Sequence, residues 1–226
     1  MMTRLYMLAL SLLLVSWTGC QQQTWESAMA AGQQAVQQGN YADAERIYLL
    51  AVRKAEEFGL EDRRVAVSLS QLAQVYAGQG KYMEAEPVYL QALKIYQAVH
   101  GEVHTDVAAM LNNLGVLHRM YGQYAQAEPL LMRALAIKEK LLDLDDPDVA
   151  LSVMNLAQLR VVQGQPEKAE PLYRRALAIR ERALGPSHPE VAKTLEDLAN
   201  ALRKLGRAGE AVSLELRARN IRATRS

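Results

Sequence analysis

The stretch Val107–Ile137, VAAMLNNLGVLHRMYGQYAQAEPLLMRALAI, decides how this chain folds. Leu111, Leu114 and Leu117 recur at about the spacing of a helical turn, which predicts one helix with an apolar stripe. Gly122 interrupts that pattern. A glycine there enters the left-handed region that ends a helix at little steric cost. After it, Ala127, Leu131, Ala134, Leu135 and Ile137 return at spacings of three and four, so a second helix folds back on the first. Gly115 is small where the two helices must approach closely.

Copies of this unit lie on both sides. Glycines fall at Gly39, Gly80, Gly122, Gly164 and Gly206, a step that varies by no more than one position along the chain. Alanines follow five positions later at Ala44, Ala85, Ala127, Ala169 and Ala211. Val65–Tyr96 and Val149–Arg180 share 15 identities over 32 ungapped positions, which makes the repeat an internal duplication and not a bias of composition. Ala73, Ala157 and Ala199 stand where Gly115 does. Pro87, Pro129 and Pro171 sit seven positions after their glycines, near the start of the second helix, where few backbone bonds are lost. Asp62, His104, Asp146 and His188 stand just before each following helix. The two aspartates are good caps there, and Pro147 and Pro189 suit a first helical position.

The Leu-Gly pair at 114–115, the small Ala127, a large apolar or aromatic residue (Tyr89, Leu131 or Tyr173) and Ala134 resemble the tetratricopeptide repeat. The run G-Q/K-Y-x-x-A-E-P, with a period longer than the usual length of about 34 residues, makes the units similar to the kinesin-light-chain type. The resemblance implies an all-α fold, a right-handed superhelical solenoid of about five helix-turn-helix repeats near residues 25–60, 65–100, 107–142, 149–184 and 191–224, forming one domain over 25–226. It also implies a longer second helix and linker. The end units depart from the pattern. Repeat 1 has Ala31 for leucine and Arg46 for proline; repeat 5 has Ser213 and Glu215 and gathers Arg217, Arg219, Arg222 and Arg225 in its last helix. Polar terminal units are expected of a solenoid; a basic docking or self-association surface is the alternative.

The N-terminus, MMTRLYMLALSLLLVSWTGC, has a single charge, Arg4, ahead of an apolar run from Leu5 to about Thr18. As a helix that run reaches about 21 Å, short of the roughly 30 Å hydrocarbon layer, so residues 1–19 read as a signal peptide rather than a span. Cys20 is the chain's one cysteine and follows Thr18 and Gly19. That arrangement resembles a bacterial lipoprotein signal, although Trp17 stands where leucine is usual. The resemblance implies lipidation of Cys20, a membrane attachment through that lipid, and, from Gln21, sorting to the outer membrane facing the periplasm. Residues 20–24 then form a short polar tether. If this segment is not a signal, a soluble cytoplasmic adaptor is the alternative.

Little in the chain points to chemistry. Formal charge is +1, and a nucleic-acid partner would call for a basic face. One cysteine permits neither an intramolecular disulfide nor a cysteine metal site. His100 and His104 are four apart, but Gly101 between them predicts a loop; His118 matches Tyr76 one repeat earlier and reads as a packed helix residue. There is no glycine-rich phosphate loop. We therefore expect no enzyme activity, no metal and no cofactor.

A solenoid of helix pairs binds along the first helix of each unit. The face opposite the leucines carries Asn112, Asn113, Val116, Arg119 and Met120 in repeat 3. The matching positions give Gln71 and Gln74, Asn155 and Gln158, and Asp197, Asn200 and Arg203, with Met154, Val161 and Val162 as added apolar surface. Amides offer both donors and an acceptor to an extended backbone. The kinesin-light-chain resemblance implies that Asn113 and Asn155 hold a peptide in this way. The expected partner is thus an internal segment of a protein of the cell envelope.

Overall fold

The computed structural model describes residues 24–223; residues 1–19, read above as a signal peptide, Cys20 and Arg225 lie outside the described residues. Within them the regular structure is helical: α1 (24–37), α2 (Tyr41–Glu56), α3 (Arg63–Gly78), α4 (Tyr82–His100), α5 (Thr105–Met120), α6 (Tyr124–Leu141), α7 (Pro147–Val162), α8 (Pro166–Leu184), α9 (Pro189–Lys204) and α10 (Ala208–Ala223). The fold is all-α, and each repeat is one antiparallel pair. First helices such as α3, α5 and α7 have 16 residues, whereas α4, α6 and α8 have 18 or 19, so the long period resides partly in the second helix. The chain divides into two compact units, one ending at Gly101 and the other beginning at Glu102. The first holds α1–α4, the second α5–α10.

The turn inside each pair has one chemistry throughout. Gly122 has φ of 80°, its N–H bonds Arg119 O, and the Gln123 N–H reaches back to His118 O at 2.8 Å. That double bond closes the last turn and satisfies carbonyls the helix would otherwise leave open. The same pairs of bonds form at Gly39, Gly80, Gly164 and Gly206. No non-glycine residue takes a positive φ among the described residues.

All four residues singled out before the first helices act as caps. Asp62 and Asp146 accept from Arg64 N at 2.8 Å and Asp148 N at 2.7 Å. His104 and His188 do the same through Nδ1, from Asp106 N at 3.1 Å and Glu190 N at 3.2 Å. Histidine serves here only while Nδ1 is a bare acceptor. Pro87, Pro129 and Pro171 are each the sixth residue of their helix, so each forgoes one ladder bond.

In the second unit, Ala127, Leu131, Val149, Val153, Leu159, Tyr173 and Leu198 belong to one buried cluster. Gly115 sits over Leu131: a Cβ built there would meet Leu131 Cγ at 2.6 Å, which is why no side chain is tolerated. In the first unit the pair recurs as Gly32 over Tyr48, whose ring would stand 2.6 Å from the same methyl position. Ion pairs join successive repeats: Lys81 to Glu45 at 2.8 Å in the first unit, Arg160 to Glu128 at 2.7 Å and Arg207 to Glu170 at 2.6 Å in the second.

The arginines of α10 are largely committed within the fold. Arg217 pairs with Glu181 at 2.6 Å and Arg222 with Glu196 at 2.7 Å, which is the behaviour of a closing helix fastened to its neighbours. Among the described residues, no helix is long and apolar enough to cross a membrane.

Candidate functional site

The first helices carry the residues expected to bind, and the two units present them differently. In the second unit, α5 and α7 bring Asn112 and Asn155 together: Asn155 Nδ2 donates to Asn112 Oδ1 at 2.8 Å, with 6% and 8% of each residue exposed. These amides meet each other across the repeat boundary. One turn on, Gln158 Nε2 reaches Asp197 Oδ2 at 3.4 Å, linking α7 to α9. Burial raises the Asp197 carboxyl above its ordinary value, and this bond opposes the rise. Arg119 is half-buried; burial lowers its guanidinium from the usual range, and its Nε is enclosed without a hydrogen-bond partner.

The other positions of this unit vary in access. Asn113 is half-buried and Asn200 exposed, and neither side chain hydrogen-bonds within the described residues. Val116 packs partly against the core, while Met120 is open to solvent. Arg203 turns to its own second helix and grips Glu215 with two bonds of 2.8 Å. Met154 is no surface residue: at 2% exposure it is part of the core, at the register of Asn112, which is buried in α5 as well. Val161 also leans on the core, and Val162 is exposed.

His118, expected as a packed helix residue, is buried, with Nδ1 2.6 Å from Gln123 Oε1 beside the Gly122 turn.

In the first unit the corresponding face opens into a cleft of about 500 Å³ between α1 and α3. Gln71 and Gln74 form one wall, and Gln33 and Gln37 stand on the other. Met29, Val36 and the ring of Tyr48 supply apolar surface. None of the four glutamines hydrogen-bonds within the described residues, nor does the Tyr48 hydroxyl, although Tyr48 is only 1% exposed. Burial raises the Tyr48 phenol, so the hydroxyl stays protonated and available as a donor. The helix α1 is set against α3 by the Trp25 indole, which donates to buried Ser68 Oγ at 2.8 Å. The contribution of α1 was missed in sequence because repeat 1 reads as a divergent end unit. The repeat register itself would have found it: Gln33 precedes Gln74 by the same step that separates Gly39 from Gly80.

Comparison with known proteins agrees with the repeat fold. The tetratricopeptide repeat family matches residues 64–140 and 148–224, well over half the chain. This chain is a tetratricopeptide repeat protein. Among solved structures it is similar to BtubC (BKLC) from P. vanneervenii, with 27% identity, a TM-score of 0.77, and coverage of 88% of this chain and 80% of that one. It is also similar to a Podosopora anserina kinesin-light-chain-type protein of nearly identical TPR-like repeats, at 25% identity and TM-score 0.72, covering 89% of this chain and 96% of that one. The fold is shared, at 20% identity and TM-score 0.76, with a Rap protein complexed with competence and sporulation factor, over 88% of this chain and 54% of that one. No curated protein sequence matches. Tetratricopeptide repeats typically act as non-enzymatic modules for binding other proteins, and the kinesin-light-chain character read from the repeat run is matched by the P. anserina neighbour.

Proposed function

We propose that this tetratricopeptide repeat protein is a lipid-anchored adaptor of the bacterial envelope, whose first-helix faces hold an extended segment of a partner protein. The observation that carries the binding part is the set of amides without internal partners, Gln71, Gln74, Asn113 and Asn200, on helices α3, α5 and α9. An amide left free on an otherwise well-bonded helix face is poised for a backbone, since it matches both a carbonyl and an N–H. Asn112, Asn155 and Gln158 line the same faces and order the helices beneath the ligand through their own bonds. The anchoring part rests on the lipoprotein-like pattern ending at Cys20, which would place the repeats close to the outer membrane on its periplasmic side.

Two experiments test the halves separately. Photo-crosslinking residues at Gln74 and Asn113 should capture a partner that a crosslinker at Met132, exposed on α6, does not; equal capture from Met132 would count against the groove. Acyl labelling should mark the wild type and not Cys20→Ser. Equal labelling of both would remove the anchor while leaving the binding reading intact.

A further inference from the structure

We infer that the primary binding site is the cleft of the first unit, between α1 and α3, and that its ligand is an uncharged, extended polypeptide stretch read through its backbone. This rests on the peptide-binding reading above and narrows it to a place and a ligand class. The register that carries asparagine at Asn113 and Asn155 has Gln71 in repeat 2 and Ala30 in repeat 1, so the amides of α1 come from another turn of the helix.

The chemistry of the cleft is distinctive. Every residue lining it is uncharged, so a charged ligand side chain would lose water and meet no opposite charge. Its polar groups are amides on both walls, none engaged internally. Gln33 and Gln37 are one turn apart, about 6 Å along α1, and Gln71 and Gln74 are three positions apart on the facing wall. An extended chain advances about 6.6–6.8 Å per two residues, close to the Gln33–Gln37 rise, so alternate backbone groups of a strand come into step with the two glutamines of α1. Met29 and Val36 also line the cleft and suit a small apolar side chain of the ligand. Tyr48 also lines the cleft, with its ring buried and its hydroxyl bonded to nothing within the described residues, so it can donate to a carbonyl oxygen of the ligand. A volume of about 500 Å³ lies within the usual range for a ligand cleft. The second unit lacks this combination, because its central amides bond one another.

The test uses the full chain in detergent and four pools of capped, fluorescent octapeptides. The first pool draws every residue from Ala, Val, Ser, Thr, Asn and Gln. The second and third carry acidic or basic residues at alternate positions, and the fourth repeats the neutral set with alternate backbone amides N-methylated. The neutral pool should bind about tenfold tighter than either charged pool and lose binding on N-methylation. Gln33→Ala with Gln71→Ala should weaken it about tenfold, and Tyr48→Phe about three- to fivefold, each corresponding to one or two hydrogen bonds. The glutamines are on the surface, so the double variant keeps its helical circular dichroism and the result reports binding alone. Preference for a charged pool, or indifference to the double variant, overturns the inference. If binding instead falls with Asn113→Ala, the peptide reading stands and the cleft does not. If no pool binds, both fall. Displacement by chitohexaose at lower concentration than by unlabelled neutral peptide would replace the peptide with a glycan.

Discussion

The two units are built from the same repeat but use the central amides of their first helices differently. In the second unit Asn112 bonds Asn155, and Gln158 bonds Asp197, so hydrogen-bonding capacity is used between repeats. In the first unit Gln33, Gln37, Gln71 and Gln74 have no such bonds and face a cleft. The lesson is that a run of amides along a solenoid has two roles, cohesion and recognition, and that contact between neighbours separates them.

The comparison can be broken or sharpened by substitution. The largest effect is expected in the apolar layer common to both units: Leu131→Ala empties a fully buried site under Gly115 and should cost about 2–5 kcal/mol in urea unfolding. If it costs well under about 1 kcal/mol, the close approach at Gly115 is not what holds α5 to α6. Next is Asn155→Ala, which leaves the Asn112 carbonyl buried without its donor, at about 1–3 kcal/mol. The counterpart Gln71→Ala should change stability by less than about 0.5 kcal/mol. Equal costs for the two would erase the distinction between the units.

Loss of the imidazole cap in His188→Ala should remove about 1 kcal/mol, and His188→Asp should restore it, since aspartate fills the same place at Asp146. A smaller, pH-dependent effect is expected at Asp197. Burial holds its carboxyl above the ordinary value, so the folded state takes up the proton more readily than the unfolded chain. The penalty is present at neutral pH and is relieved as pH falls through the raised value. Asp197→Asn, which can still accept from Gln158, should therefore raise neutral-pH stability by less than about 1 kcal/mol and remove that relief on acidification. Glu128 has the opposite sign: its bond to Arg160 holds the carboxyl low, giving stability above the ordinary carboxylate range that is lost as pH falls through the lowered value. Thermal melts of the wild type and both variants, Asp197→Asn and Glu128→Gln, between neutral and acidic pH separate the two. A wild-type profile unchanged by Asp197→Asn would show that this carboxylate carries no burial penalty.

The periodic residues made the architecture legible without coordinates. A glycine at a nearly constant step, an alanine five positions later and leucines at turn spacing are local requirements of a helix pair, and each is met by the residue's own backbone freedom or size. The caps were legible for the same reason, since a cap bonds an N–H only two positions along the chain. Which groove residues are free was not legible. Asn112 and Asn113 are adjacent and identical in type, yet one is buried against Asn155 and the other is unpartnered. Met154 occupies the register of Asn112 and belongs to the core. These differences depend on a side chain one whole repeat away, and a helical period records only which face a residue occupies. The sequence by itself therefore determined the repeat, its turns and its apolar layer. Tertiary structure alone decided which amides are used up between helices and which, as in the cleft beside Tyr48, are left for a partner, because hydrogen bonding between repeats is a property of their packing.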